Sequence, residues 1–352
     1  MKLLMVARRF PPDVRSGTET VFQSLYERAQ GRHEVRLVVG FRRDRALVPA
    51  EAVAVDLRGL DSAAAWGRMW WAARREARRF KPDACLANSI EAPAIAAPTV
   101  CIVHDLNFGV ASRSLGVRAR EVFYALKSRA LAQVVAVSDA TRDHLISVGV
   151  PAKKIRVIPN GVDLARFKPF TRPEDGLVRF VYAGRMLPSK GQHLALDALA
   201  RLPAALKARA RLTLVGAADD TIFVDQLKLQ AWGQPVDVLT DVADIAPYVQ
   251  QADVALFPTL MREGFGYTAI EAMACGKPVI WSDQPAIREA TGGVGLPVPQ
   301  GDVEAMRAAM RRLMEDPALA ASIGAEGRRL VEARYDWAAV WARYEALLLS
   351  LR

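Results

Sequence analysis

Two glutamates eight positions apart, Glu263 and Glu271, bracket the turn Gly264-Phe265-Gly266. An apolar run, Asp253 to Phe257, feeds this turn, and a helix-like run, Tyr267 to Ala274, leaves it and stops at Gly276-Lys277-Pro278. A strand, a glycine turn and a helix start place backbone N–H groups where an anion can sit. Glycines at 264 and 266 let that anion approach the chain closely. Two carboxylates flanking a phosphate site suit a ligand with hydroxyls on both sides of its phosphates, and a nucleotide sugar has that form. Upstream, Tyr182-Ala183-Gly184-Arg185 closes an apolar run and is followed by Lys190-Gly191. Sugar transfer from a nucleotide leaves a diphosphate whose negative charge grows in the transition state. Fixed cations stabilise that charge more in the transition state than in the ground state. Arg185 can fork onto phosphate oxygens, and Lys190 acts as a point charge.

These segments resemble the Glu-x7-Glu and Gly-Arg-x4-Lys-Gly motifs of retaining glycosyltransferases of the bacterial family 4 type, which have the GT-B fold. The resemblance implies that Glu263 binds sugar hydroxyls and Glu271 the ribose hydroxyls. It implies that the amides of Gly264, Phe265, Gly266, Tyr267 and Thr268 hold the diphosphate, with Gly184, Arg185 and Lys190 beside it. In the first half, Ser16-Gly17 opens a helix where the family has two adjacent glycines, and Gly17 would lie near the donor phosphate. His104 in Val103-His104-Asp105 stands where relatives have a histidine near the transferred sugar. Ser138 and Thr141 resemble a strand-to-helix element, and capping suffices to explain them. Relatives have a glycine about where Asp241 stands, near the expected nucleotide base. The implied chemistry is same-face transfer, the leaving diphosphate assisting deprotonation of the acceptor hydroxyl. Arg185, Lys190, His104 and Glu263 are the candidate catalytic set. No metal ligand set and no cofactor is expected; the donor would be a UDP- or GDP-sugar.

The elements that must position these residues are readable. A chain of 352 residues, 51% hydrophobic, suffices for two domains. Strand candidates at 2–7, 34–40, 84–87, 99–103 and 134–137 alternate with helical patterns at 19–29, 62–80, 118–132 and 140–148. The rhythm returns with strands at 178–183, 212–215, 237–239, 254–257 and 278–280. Such alternation predicts parallel sheets covered on both faces, hence α/β architecture with two Rossmann-like domains. The turn-rich joint Pro159-Asn160-Gly161-Val162-Asp163 resembles the family's inter-domain connection. Expected domains are 1–169 for the acceptor, 170–335 for the nucleotide sugar and 336–352 as a helix crossing back to the first, with the two domains facing a cleft.

Three separated cysteines, Cys85, Cys101 and Cys275, fit a reducing compartment without a structural metal. No run is long and apolar enough to read as a signal peptide or a membrane span, so a cytoplasmic protein is expected. The net charge of +10 lies in the first half: through Asn160 there are 26 Lys and Arg against 15 Asp and Glu. A basic half favours anionic partners. Trp66, Met69, Trp70, Ala73, Ala77 and Phe80 fall at helical spacing, opposite Arg74, Arg75, Arg78 and Arg79. That face, extended by Arg113, Arg118, Arg120 and Lys127, is either a solvated helix surface or a patch for an anionic membrane at the inner face. With the second reading the acceptor is a lipid-linked glycan. An epimerase of sugar nucleotides on the same fold is an alternative. A nicotinamide dehydrogenase is disfavoured because no Gly-x-Gly-x-x-Gly follows the first strand. A basic nucleic-acid-binding protein is a second alternative, which the charge supports, but no recognised nucleic-acid motif appears and no nucleic acid partner is expected.

Overall fold

The structure, a computed structural model, describes residues 1–13, 16–92, 95–104, 115–173 and 175–351, without the side chains of 115–118. Asp105 and Arg113, singled out above, and the side chain of Arg118 lie outside what is described. The chain divides into two compact units, Met1–Gly161 with Ala338–Arg352, and Val162–Trp337.

The first unit runs β1 (Lys2–Ala7), α1 (Gly17–Gln30), β2 (Glu34–Phe41), β3 (Val53–Asp56), α2 (Ser62–Phe80), β4 (Ala84–Ala87), β5 (Thr99–Val103), α3 (Leu115–Arg129), β6 (Gln133–Ala136), α4 (Asp139–Ser147) and β7 (Ile155–Val157). Its strands form one sheet in the order β3-β2-β1-β4-β5-β6-β7. Every pairing is parallel, as in Ala7 opposite Val39 and Val6 opposite Ala87. In β1 every residue after Lys2 is buried, as a strand covered on both faces requires. Helix α2 starts where Asp61 accepts a hydrogen bond from Ala64 N at 2.8 Å and ends at Lys81, which takes a left-handed φ of 50° before Pro82. It buries Ala65, Met69, Ala72, Ala73, Ala77 and Phe80 on the sheet. Trp71, by contrast, is 65% exposed.

The second unit runs β8 (Val178–Ala183), α5 (Gln192–Ala200), α6 (Ala204–Arg209), β9 (Ala210–Gly216), α7 (Thr221–Ala231), β10 (Val236–Thr240), α8 (Ala246–Gln251), β11 (Val254–Phe257), α9 (Tyr267–Ala274), β12 (Val279–Ser282), α10 (Pro285–Thr291), β13 (Leu296–Val298), α11 (Val303–Glu315) and α12 (Pro317–Arg334). Its sheet order is β10-β9-β8-β11-β12-β13, again parallel throughout. Helix α13 (Trp337–Leu349) follows, and from Ala338 its residues belong to the first unit. There Glu345 meets Arg32 at 3.1 Å and His33 at 3.2 Å, and Arg343 donates to Val157 O at 2.6 Å.

The strands β3, β7 and β13, which were not among the strands expected from the sequence, all lie at the edges of the two sheets. Asp241 takes a left-handed φ of 55° after β10, a conformation that glycine favours and aspartate tolerates.

The two ends of β8 and β9 meet so closely that only hydrogen fits between them. A methyl on Gly216 would lie 1.8 Å from the Gly184 carbonyl oxygen. Gly216→Ala is therefore expected to destabilise the protein by about 3 kcal/mol or more. Gly233→Ala, with a φ of 71° but nothing within 4 Å of the new methyl, should lose only about 1 kcal/mol. Urea denaturation of the two variants checks this, and equal midpoints would show that the 184–216 approach relaxes.

Candidate active site

The expected residues of the second unit gather along the ends of β8, β9, β11 and β12, where parallel sheets present their loops to ligands. The turn after β8 and the loop after β11 are fastened together through backbone. Ser189 O accepts from Leu260 N at 2.8 Å and Met261 N at 3.0 Å. Gly191 lies so near the second loop that a methyl there would stand 2.0 Å from Pro258 O. This fastening brings Lys190 and Glu263 into an ion pair at 2.6 Å, with side chains only 12% and 11% exposed. The same glutamate oxygen accepts from Thr259 Oγ1 at 2.7 Å.

Gln284, just before α10, spans the Glu263 loop from behind. Its Oε1 accepts from Glu263 N at 3.1 Å, and its Nε2 donates to Met261 O at 2.8 Å and Thr259 O at 3.3 Å. Neither Gln284 nor Thr259 was legible as a site residue, since each acts through hydrogen bonds and not through a chemistry-bearing group.

Helix α9 starts at Gly266, whose φ of 84° makes the turn that glycine allows. The Phe265 side chain is buried edge-on against Tyr335, ring centroids 5.3 Å apart, so its ring anchors the turn. Thr268 sits by the end of β8, its hydroxyl 3.6 Å from where a side chain on Gly184 would begin. Glu271 lies one turn further and is buried, and no described residue hydrogen-bonds its carboxylate. Burial pushes its pKa up to about 8; the Arg166 guanidinium opposes this and the Asp244 carboxylate adds to it. Arg166 and Asp244 are themselves paired at 2.5 Å.

Arg185 stands apart from Lys190 and Glu263. Its carbonyl is held by Gln192 Nε2 at 2.8 Å and Tyr182 OH at 3.2 Å, while its guanidinium pairs with Asp219 at 3.1 Å. The acidic loop after β9 thus supplies a partner that spacing did not reveal.

In the first unit His104 directly follows β5. Its Nε2 lies 2.8 Å from Asn88 Oδ1, and its Nδ1 has no partner among the described residues. Burial pushes its pKa down to about 4, against the raising effect of Glu19, so the imidazole is neutral at pH 7. Gly17 begins α1, where Glu19 accepts from Ser16 Oγ and from Thr18 Oγ1. Ser138 caps α4 by accepting from Thr141 N at 3.0 Å, as expected of a cap.

Comparison with known proteins matches residues 15–166 to the family described as Glycosyltransferase Family 4, and residues 178–316 to Glycosyl transferases group 1. The chain is 30% identical over 285 residues to a glycogen synthase of Mycobacterium tuberculosis, covering 75% of this chain and 67% of that protein. It is 36% identical over 222 residues to a phosphatidyl-myo-inositol mannosyltransferase of Mycolicibacterium smegmatis, covering 59% and 55% of the two. The solved structure of Anabaena HepE in complex with UDP and glucose superposes with a TM-score of 0.83 at 23% identity over the full length of both chains. The chain belongs to the family 4 glycosyltransferases and has the GT-B fold. Among the described residues no helix is long and apolar enough to cross a membrane.

Glu271 sets a pH dependence with a definite sign. Its folded pKa lies above the unfolded value of 4.5. The folded chain therefore holds more protons between these values, and this group's contribution to stability falls as pH rises from about 4.5 to about 8. Glu271→Gln should be stabilised relative to wild type as pH rises through that window, which melting curves at pH 5 and pH 9 will show. A melting-temperature difference that does not change with pH would mean that Glu271 is ionised in the free protein.

Proposed function

We propose that the chain transfers a sugar, with retention of anomeric configuration, from a UDP- or GDP-sugar to a hydroxyl of a glycan or lipid-linked acceptor. The observation that carries this reading is a buried carboxylate without a hydrogen-bond partner among the described residues, Glu271. It stands eight residues beyond a carboxylate already paired with a lysine, Glu263. A ribose diol would supply the missing donors at Glu271. Glu263 would take the sugar hydroxyls through the oxygen turned away from Lys190. The first turn of α9, with the backbone of 264–268, would hold the diphosphate. Lys190 would neutralise growing charge on the leaving phosphate, and Arg185 would exchange Asp219 for a phosphate oxygen. In the transfer the anomeric carbon's bond to the phosphate oxygen breaks and its bond to the acceptor oxygen forms on the same face. The acceptor's proton passes to the departing diphosphate. His104, neutral and partly satisfied by Asn88, would accept or donate a hydrogen bond to the sugar without serving as a base.

The donor classes follow from the relatives: HepE is solved with UDP and glucose, and another relative bears a mannosyltransferase name. Domains divide in this reading as acceptor-binding for the first unit and donor-binding for the second. A peripheral position on an anionic membrane is supported by exposed Trp71, by Arg75 stacked on it at 5.2 Å, and by exposed Val122, Phe123 and Leu126 on α3. A cytoplasmic location with contact at the inner membrane face fits that surface.

Calorimetric titration with UDP, GDP, ADP and CMP tests the donor site. One nucleotide should bind selectively, and Glu271→Ala should weaken it at least tenfold. Failure of all four to bind folded protein would remove the reading. Lys190→Ala should lower kcat about a hundredfold, on the order of 3 kcal/mol, with donor affinity changed less than fivefold; wild-type turnover in that variant would exclude Lys190 from the chemistry. Trp71→Ala with Arg75→Gln should lower sedimentation with phosphatidylglycerol vesicles severalfold, and unchanged sedimentation would leave α2 as a solvated face.

A further inference from the structure

The cations of the second unit are largely spoken for by carboxylates, as in Arg166 with Asp244, Arg172 with Asp253 and Arg288 with Asp283. The first unit holds the opposite arrangement at one end of its sheet. Arg8 and Arg9 leave β1, and Arg42 and Arg43 leave β2, the neighbouring parallel strand in register with it. Asp13, 1% exposed, accepts from Arg42 N at 2.9 Å and Arg43 N at 2.8 Å. The backbone of this turn is thereby satisfied internally, and the side chains are the groups left to meet a ligand.

Other arginines near this edge have local partners: Arg45 reaches Val48 O at 3.1 Å, Arg58 pairs with Asp56 at 2.6 Å, and Arg68 reaches Asp56 O at 3.0 Å. Arg8 has none. It is half-buried, its guanidinium 5.2 Å from the Trp66 ring centroid, and no described residue accepts a hydrogen bond from it. Glu91, a counter-charge to Arg8, is engaged by Trp66 Nε1 at 2.9 Å. The Arg9 side chain has no described acceptor either, and Arg42 reaches only Leu60 O, at 3.3 and 3.4 Å. Burial and then the neighbouring charges of Arg9 and Arg42 push the Arg8 pKa down, against Glu91 and Glu19. Like charges drawn together around a half-buried guanidinium oppose folding unless an anion joins them.

We propose that Arg8, Arg9 and Arg42 form a phosphate-binding subsite that recognises a phosphate group carried by the acceptor. This rests on the reading of the first unit as the acceptor side. A tetrahedral dianion accepts hydrogen bonds from several directions, which suits guanidinium forks arriving from two strands. The subsite lies at the same sheet end as Gly17 and His104, so an acceptor anchored by its phosphate would be bound at the edge where those groups stand. The phosphate can come from a soluble phosphorylated sugar or polyol, or from a lipid headgroup.

The test is calorimetric titration of the full chain with inorganic phosphate, with the best-binding nucleoside diphosphate present at saturation so that the donor's own phosphate site is filled. Arg8→Gln and Arg42→Gln should each weaken phosphate at least tenfold. Exposed Arg9→Gln gives a second reading should Arg8→Gln fold poorly. Arg156→Gln, an exposed arginine of β7, and Lys190→Ala should leave phosphate affinity within twofold of wild type. Phosphate affinity that survives in all three subsite variants, or that falls equally in Lys190→Ala, overturns the proposal. A chain that binds phosphate here but no nucleotide would sink the donor reading and leave the subsite standing. Displacement of phosphate by phosphatidylglycerol vesicles, but not by phosphatidylcholine vesicles, assigns the group to a lipid; displacement by a soluble sugar phosphate alone assigns it to a soluble acceptor.

Discussion

Lys190 and Glu263 meet in a place with little water, and the rest of the second unit's site is arranged around that fact. A charge pair removed from solvent holds together only when its geometry is tight and the remaining polar atoms are satisfied. The chain meets this demand with backbone more than with side chains. Ser189 O takes two amides of the facing loop, and Gly191 allows the carbonyl of Pro258 to approach where any side chain would block it. Thr259 gives the glutamate a second donor, and Gln284 ties the loop down from the strand beyond. Removing any one of these would loosen the pair, so its geometry is a property of three segments and not of two residues.

The two units treat charge in opposite ways. In the second, cations meet carboxylates, and Glu271, a buried residue whose carboxylate has no hydrogen-bond partner among the described residues, has its ionisation suppressed by burial. In the first, many arginines are likewise paired, but Arg8 and Arg9 have no hydrogen-bond acceptor among the described residues, and the histidine at the sheet end is held neutral by burial. The surplus of positive charge visible in the composition is therefore not a diffuse coat. Part of it is concentrated at the ends of β1 and β2, and part lies along the outer face of α2.

Much of the fold was legible because parallel strands buried on both faces write themselves as apolar runs. Residues 2–7, 99–103, 178–183 and 254–257 read as strands and are strands at the same bounds. The short edge strands β3, β7 and β13 were not legible, since their pairing depends on a neighbour and not on a pattern of their own. The Glu263-to-Glu271 motif was legible because it combines glycines, carboxylates and element boundaries at fixed spacing. The partners that set its geometry were not. Asp219 lies 34 residues from Arg185, and Gln284 lies 21 residues from Glu263; each contact is made only when separate strand ends come into line. Phe265 was singled out for its amide, and its ring packs on Tyr335.

The path of the chain has one more implication. The first unit is assembled from both ends of the sequence: α13 supplies Glu345 to Arg32 and His33, and Arg343 to the β7 backbone. The second unit is a continuous stretch, Val162–Trp337. During synthesis the second unit has all its strands before the first unit has its last helix. The half that begins first on the ribosome is thus the half completed last, with the surface that α13 covers left waiting until those residues emerge.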